Sequence, residues 1–388
     1  MKGRSAMIIQ CTKALLDKLE IKKSDLVSPE GYEQFHKSLM GWHANLVTIH
    51  RRKVMILLNN ETRYPVVINR LLKKDLSNIN AVIQEAIRVA LRMEGIKEAI
   101  IEDYLASDGD ITFSKTASRS MVGKLNNTMR DIEAMSEYLD KDTTIQRYIS
   151  LVVSRMIQLD GPKKGFYPRN KMIESLAMLN GLDANQAAEQ VLDIELYQLN
   201  IQLDIEGHHI WRRVLVPSSF SFRHLHNIIQ TVFDWQNYHL HEFTVKRTNN
   251  KPLKIVMDDE PHTMEFFDFD NEGILQERFV SLHDVFSTHS DVLYQYDFGD
   301  SWTHIITLEK KVQAHSLQVV FLEGNGERPP EDVGGEYGFD EYLRILGDAT
   351  DPEHEDMKIW AASQKERTFT VEQTNHRLKS VIYNYYYI

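Results

Sequence analysis

The chain has 388 residues, with 45 Lys+Arg against 56 Asp+Glu and 42% hydrophobic residues. That length suits two or three domains, and the composition excludes a mainly disordered, collagen-like or coiled-coil chain. A lone Cys11 excludes a disulfide scaffold and a Cys-based zinc finger.

No apolar run approaches the roughly 18 residues of a membrane span. The opening Met1–Met7 has no signal-peptide pattern, so a cytoplasmic protein without membrane partners is expected. Charge is uneven along the chain. Residues 1–130 hold 21 Lys+Arg and 14 Asp+Glu, a net +7, whereas residues 201–388 hold 17 and 31, a net −14. Thirteen of the 16 histidines and four of the five tryptophans follow residue 200, which marks two modules of different chemistry.

Met7–Cys11 reads as a strand, and Thr12 as the cap of a helix Lys13–Leu19 with Leu15, Leu16 and Leu19 on one face. Asn45–Ile49, Val54–Leu58 and Tyr64–Ile68 are apolar strands, the first two joined by His50-Arg51-Arg52-Lys53. They predict an antiparallel meander. Ile79, Val82, Ile83, Ala86, Ile87 and Leu91 repeat at the helical period within Leu76–Met93, and Gly95 follows. Ile111–Phe113 and Val122–Leu125 read as short elements, with more helix from Asp131 to Leu139. Further helices are expected over Leu151–Leu159, Asn170–Leu179 and Asp183–Leu192, interrupted at Gly161–Gly165.

Beyond them, Tyr197–Ile205 alternates apolar and polar residues as a half-buried strand does, and Ile210–Pro217 is a second strand. Ser221 caps a helix running to Trp235, with Leu225, Ile228, Ile229, Val232 and Phe233 inward. His239–Val245 is a strand, and Leu293–Phe298 with Trp302–Leu308 a hairpin about Gly299-Asp300. Phe339–Leu346 is a helix. Asp351-Pro352 opens another, carrying Trp360. The sum is an α+β protein with two mixed modules of antiparallel sheets and packed helices. The expected domains are a basic module 1–150, a helical connector 151–193 and an acidic, His/Trp-rich module 194–388.

The second module carries six local sequences in order: Ile210–Val214, Trp235, His239–Phe243, Tyr296–His304, Pro329–Gly335 and Asp351–Glu355. Over about residues 194–380 it resembles the plasmid ORF-three-like family, named from a root-inducing plasmid and found across bacteria and mobile elements. The first half is similar to another bacterial domain family through Met7–Lys13, Trp42–Arg52 and Phe113–Leu125. The resemblance implies a mixed α+β fold and a link to mobile elements. Some relatives are labelled transposon resolvases, yet this chain shows no serine- or tyrosine-recombinase constellation. The family commonly flanks its Pro-Pro-Glu-Asp motif with cysteines. Here Arg328 and Val333 stand there, leaving oxygen and imidazole chemistry.

The candidate metal ligands are His239, His241, Asp297, Asp300 and His304, which join if the strand and the hairpin converge. Such a divalent ion would activate water for phosphodiester hydrolysis. The competing structural reading has Asp297 and Asp300 shape the hairpin and Asp351 cap its helix, and lets Glu331 and Asp332 bind loop amides or Arg212 and Arg213. Trp211, Arg213, Glu331 and Asp332 are candidates for holding a ligand, through a guanidinium beside an aromatic ring and an acidic loop. Arg51, Arg52, Lys53, Lys115, Arg119 and Lys124 are the phosphate contacts if the first module binds nucleic acid. The acidic run Asp258–Asp270 reads as a solvated loop, and the tail from Tyr383 through Tyr387 as a docking strand. The leading functional expectation is a binding or regulatory protein associated with mobile elements or phage conflict. A metal-dependent phosphodiesterase or nuclease and a nucleic-acid binder are the alternatives.

Overall fold

The computed structural model describes residues 6–27, 38–106, 111–116, 118–136, 139–140, 143–159, 165–247, 251–257, 273–363 and 370–383. The acidic run 258–270 and tail residues 385–387 lie outside the described residues. The chain divides into two compact units, Met1–Asp193 and Ile194–Ile388. Both combine helices with sheets, and antiparallel pairing predominates, so the α+β class holds.

In the first unit the strands are β1 (Ile8–Cys11), β2 (Gly41–Ile49), β3 (Arg52–Asn59), β4 (Pro65–Asn69), β5 (Thr112–Lys115) and the short pair β6 (Gln158–Leu159) and β7 (Gly165–Phe166). The main sheet runs β4-β3-β2-β1-β5. The expected meander is β2-β3-β4, but β1 pairs in parallel with both β2 and β5. The β2–β3 connection is a two-residue turn. His50 and Arg51 have φ of 46° and 64°, as a tight hairpin requires, so Arg52 and Lys53 belong to the strand. The elements expected at Val122–Leu125 and Asp131–Leu139 are one helix, Arg119–Ala134. Its Met121, Leu125 and Ile132 pack against Ile49, Val54, Ile56 and Val67.

The segment 151–193 falls inside the first unit. A buried carboxylate ties it there. Glu94, at the end of the helix Ile79–Met93, accepts hydrogen bonds from Tyr64 (3.0 Å), Ser154 (2.8 Å) and Arg155 (2.7 and 3.0 Å), and from Arg169 Nε (2.8 Å). Burial pushes this carboxyl up, but the two guanidiniums outweigh burial and hold it below the usual value. Removing the carboxylate would leave two largely buried guanidiniums uncompensated. We predict that Glu94→Gln costs the first unit about 3–5 kcal/mol, read from urea unfolding of the full chain. An unchanged midpoint would show that the cluster adds nothing.

The second unit is built on one sheet of eight strands: β8 (Ile194–Leu203), β9 (Ile210–Pro217), β10 (His241–Val245), β11 (Leu253–Val256), β12 (Ile274–Gln276), β13 (Asp291–Tyr296), β14 (Trp302–Ala314) and β15 (Val320–Asn325). Their order is β12-β11-β10-β13-β14-β8-β9-β15. The expected hairpin is β13–β14, with Tyr296 opposite Trp302 and Tyr294 opposite His304. Helix Phe222–Phe233 buries Leu225, Ile228, Ile229, Val232 and Phe233 in the core that includes Phe243, Tyr294 and Trp302. β10 pairs with β13, which brings the chain before β10 to the tip of the β13–β14 hairpin. Among the described residues no helix is long and apolar enough to cross a membrane.

Candidate functional site

Three connections of the second unit meet at one point. The segment before β10 supplies His239, and the β13–β14 turn supplies Asp297. The Pro329–Gly335 loop supplies Glu331 and Asp332. His239 Nε2 lies 3.5 Å from Asp297 Oδ2, 3.3 Å from Asp332 Oδ1 and 3.7 Å from Glu331 Oε2. His239, Asp297 and Asp332 each offer one atom to a metal ion, all within 4.8 Å of one another.

Backbone geometry fixes these side chains. Asp297 and Asp332 both lie in the left-handed region, with φ of 57° and 58°, where Asp is tolerated better than bulkier residues. Asp297 Oδ1 accepts the Gly299 N–H at 2.9 Å, leaving Oδ2 toward His239. Asp300 does not join the cluster. Its Oδ2 accepts the Gly334 N–H at 3.1 Å and so fastens the Glu331-Asp332 loop to the hairpin tip. Gly335, at φ 71°, lets that loop sit close, since a Cβ there would come within 3.1 Å of the Asp300 carbonyl oxygen.

Glu331 is fully buried. Its Oε1 accepts the Gln236 N–H at 2.7 Å and the Tyr296 hydroxyl at 3.5 Å, whereas Oε2 has no hydrogen-bond partner. Burial pushes this carboxyl up, against the opposing pull of the Gln236 N–H and Arg328. Tyr238, half exposed beside His239, donates to Asp332 Oδ2 at 3.3 Å. The result is a set of negative oxygens with one imidazole, suited to a cationic group.

The other expected ligands go elsewhere. His241 opens β10, stacks on His226 with ring centroids 3.6 Å apart, and meets Glu277 Oε2 at 2.9 Å. His304 is buried under Phe233 and accepts the Trp235 indole N–H at 3.2 Å. The two-residue spacing of His239 and His241 and the Asp297–His304 segment therefore do not make a five-ligand centre. Both histidines are buried in the core, where Glu277 engages Nε2 of the first and Trp235 engages Nε2 of the second.

Glu331 and Asp332 are also not ligands of the β9 arginines. Arg213 stacks over Trp211 at 5.0 Å and pairs with Glu309 (2.7 Å) and Glu323. Arg212 is buried and donates to the carbonyls of Val232, Asn325 and Gly326. In the first unit Arg51, Arg52 and Lys53 are exposed at the β2–β3 turn. Lys115 ends β5, and Arg119 and Lys124 lie early in the helix that follows. The residues missed from the sequence are Gln236 and Tyr238. The adjacency of Tyr238 to His239 was the one available signal.

Comparison with known proteins identifies the second unit. A curated relative, the uncharacterized protein y4hQ of Sinorhizobium fredii, is 31% identical over 169 residues, covering 43% of this chain and 80% of that protein. Residues 195–377 match the sequence profile of the family described as plasmid pRiA4b ORF-3-like protein. The chain belongs to this family. The plasmid pRiA4b ORF-3-like region contains all four residues of the cluster. Residues 8–171 match a second profile, Domain of unknown function (DUF6933). A crystal structure of a protein of unknown function from Methanosarcina mazei Go1 is 30% identical. It matches 46% of this chain and 97% of its own, with a TM-score of 0.40. These names assign no reaction to any member.

The buried histidines set an acid limit. Burial, aided by His241 nearby, drives His226 down to about 3, and burial, with a smaller push from the Arg212 charge, takes His304 to about 3 as well. Unfolded histidine titrates near ~6.5. Between those values the unfolded chain binds protons that the native chain refuses, so stability rises with pH across the window and falls on acidification. Urea midpoints of the second unit should drop from pH 6.5 to 5, the unfolding free energy falling with a slope approaching about 2.7 kcal/mol per pH unit for two groups. His226→Gln should halve that slope. Midpoints that stay flat over this range would contradict the assignment.

Proposed function

We propose that the protein is a binding or regulatory factor of a mobile-element-associated family. In this reading its second unit takes a cationic group at His239, Asp297, Glu331 and Asp332. The observation that carries it is the Glu331 carboxylate: fully buried, its Oε2 without a hydrogen bond and turned toward the imidazole of His239. A buried carboxylate oxygen is costly unless paired. Two more carboxylates beside it add repulsion that a cation would relieve. The plasmid association rests on the family's description. The net charge of −14 over residues 201–388 argues against a nucleic-acid substrate at this cluster.

A site shaped for an absent partner costs stability when empty. Glu331→Gln should therefore stabilise the ligand-free second unit by about 1–3 kcal/mol. That corresponds to a melting shift of about 2–4 °C per kcal/mol for a unit of this size. The same variant should lose stabilisation by cationic ligands. A lower melting temperature would mean that Glu331 is already adequately paired and would remove the reading.

A second reading concerns the first unit alone. Arg51 in the β2–β3 turn and Arg52 and Lys53 at the start of β3 are all exposed, as phosphate contacts are. If that turn docks on nucleic acid, affinity must fall steeply with salt, and Arg51→Ala should reduce the salt slope by about one. A salt-independent affinity excludes it.

A further inference from the structure

We propose that the cation is a divalent transition metal of the zinc class, one per chain, bound by His239 Nε2, Asp297 Oδ2 and Asp332 Oδ1 beside the buried carboxylate of Glu331. This deepens the reading of the cluster as a cation site and rests on it. The first support is spacing. A tetrahedral ion with ligands about 2.1 Å away separates those ligands by about 3.4 Å. His239 Nε2 lies 3.3 Å from Asp332 Oδ1 and 3.5 Å from Asp297 Oδ2, close to that edge, and the ligand atoms of these three residues all lie within 4.8 Å of one another.

The second support is how each carboxylate is divided. One oxygen is held from behind and the other faces the centre. Gly299 N–H holds Asp297 Oδ1, Gln236 N–H holds Glu331 Oε1, and the Tyr238 hydroxyl holds Asp332 Oδ2. Outer partners of this kind orient metal ligands and fix which oxygen coordinates. The third is the fully buried Glu331, whose Oε2 has no hydrogen bond.

The donor set also selects the ion. Calcium takes six to eight oxygens and magnesium an octahedron rich in water, whereas one imidazole with carboxylates at about four-coordinate spacing suits zinc, cobalt or manganese. Charge points the same way, because a divalent ion reduces three clustered negative charges to one. Access is open on the side of Asp332, 63% exposed, and Tyr238, 54% exposed.

The test uses the full chain, stripped with a chelator and titrated calorimetrically with zinc, manganese and calcium chlorides. An Arg/Lys-rich peptide serves as a metal-free cationic probe. We expect one zinc per chain, a raised melting temperature, and much weaker calcium binding. Asp332→Asn retains a residue that tolerates the left-handed backbone, so its fold should survive, as circular dichroism would check. It should weaken zinc at least about tenfold, as should His239→Gln. Tyr238→Phe, an outer partner, should weaken it by about tenfold. Peptide binding that Glu331→Gln abolishes, with no stoichiometric zinc, overturns the metal and leaves the cation reading. Binding of neither overturns both. Zinc bound equally by wild type and both ligand variants overturns this assignment of the site.

Discussion

One buried carboxylate organises the second unit's site. Glu331 spends one oxygen on the Gln236 N–H, which joins the Pro-Pro-Glu-Asp loop to the segment before β10, and turns the other toward His239. The β13–β14 tip is joined to the same loop by Asp300 and Gly334. Three connections far apart in sequence are thereby held on one another, and the side chains left facing inward are three acids and an imidazole. Hydrophobic packing beneath them, through Trp235, Tyr296 and Trp302, fixes the positions of the two strand-borne segments. The core sets where the loops start, and the polar links set where they end.

The two units use buried charge in different ways. In the first, Glu94 is answered by two guanidiniums, a serine and a tyrosine, so the negative charge is overcompensated and the segment after Ser154 is tied to the helix and sheet. In the second, Glu331 gains a backbone N–H, a long hydroxyl contact and the imidazole of His239 at 3.7 Å, with the charge of Arg328 farther off and the carboxylates of Asp297 and Asp332 around the same imidazole. The first arrangement is complete within the chain and is structural. The second leaves Glu331 Oε2 without a hydrogen bond, and on that rests the proposal of a cation site.

Much of the architecture was legible because it follows from short-range rules. The helix Lys13–Leu19, strand Ile210–Pro217 and the β13–β14 hairpin follow from period and turn residues, and the structure has them, although the Thr12 hydroxyl donates to Asn45 instead of capping the helix. Parallel pairing of β1 with β2 and β5 was not legible, since a four-residue strand carries no sign of its partner's direction. β11, β12 and β15 are short and lack clear alternation, so they were missed. At the site, His239, Asp297, Glu331 and Asp332 were all named from the sequence, but in two separate groups. Which histidine stays near the surface depends on tertiary burial. His241 and His304 have the same chemistry as His239, yet both are buried in the core, where His226 and Glu277 meet the first and Trp235 the second.

The most direct measurement is anomalous diffraction at the zinc edge from crystals of the full chain grown with one equivalent of zinc. The account predicts a single strong peak about 2.1 Å from His239 Nε2 and from the inward oxygens of Asp297 and Asp332. Zinc found only at surface histidines such as His283 or His315, with the cluster clear of anomalous signal, would contradict it.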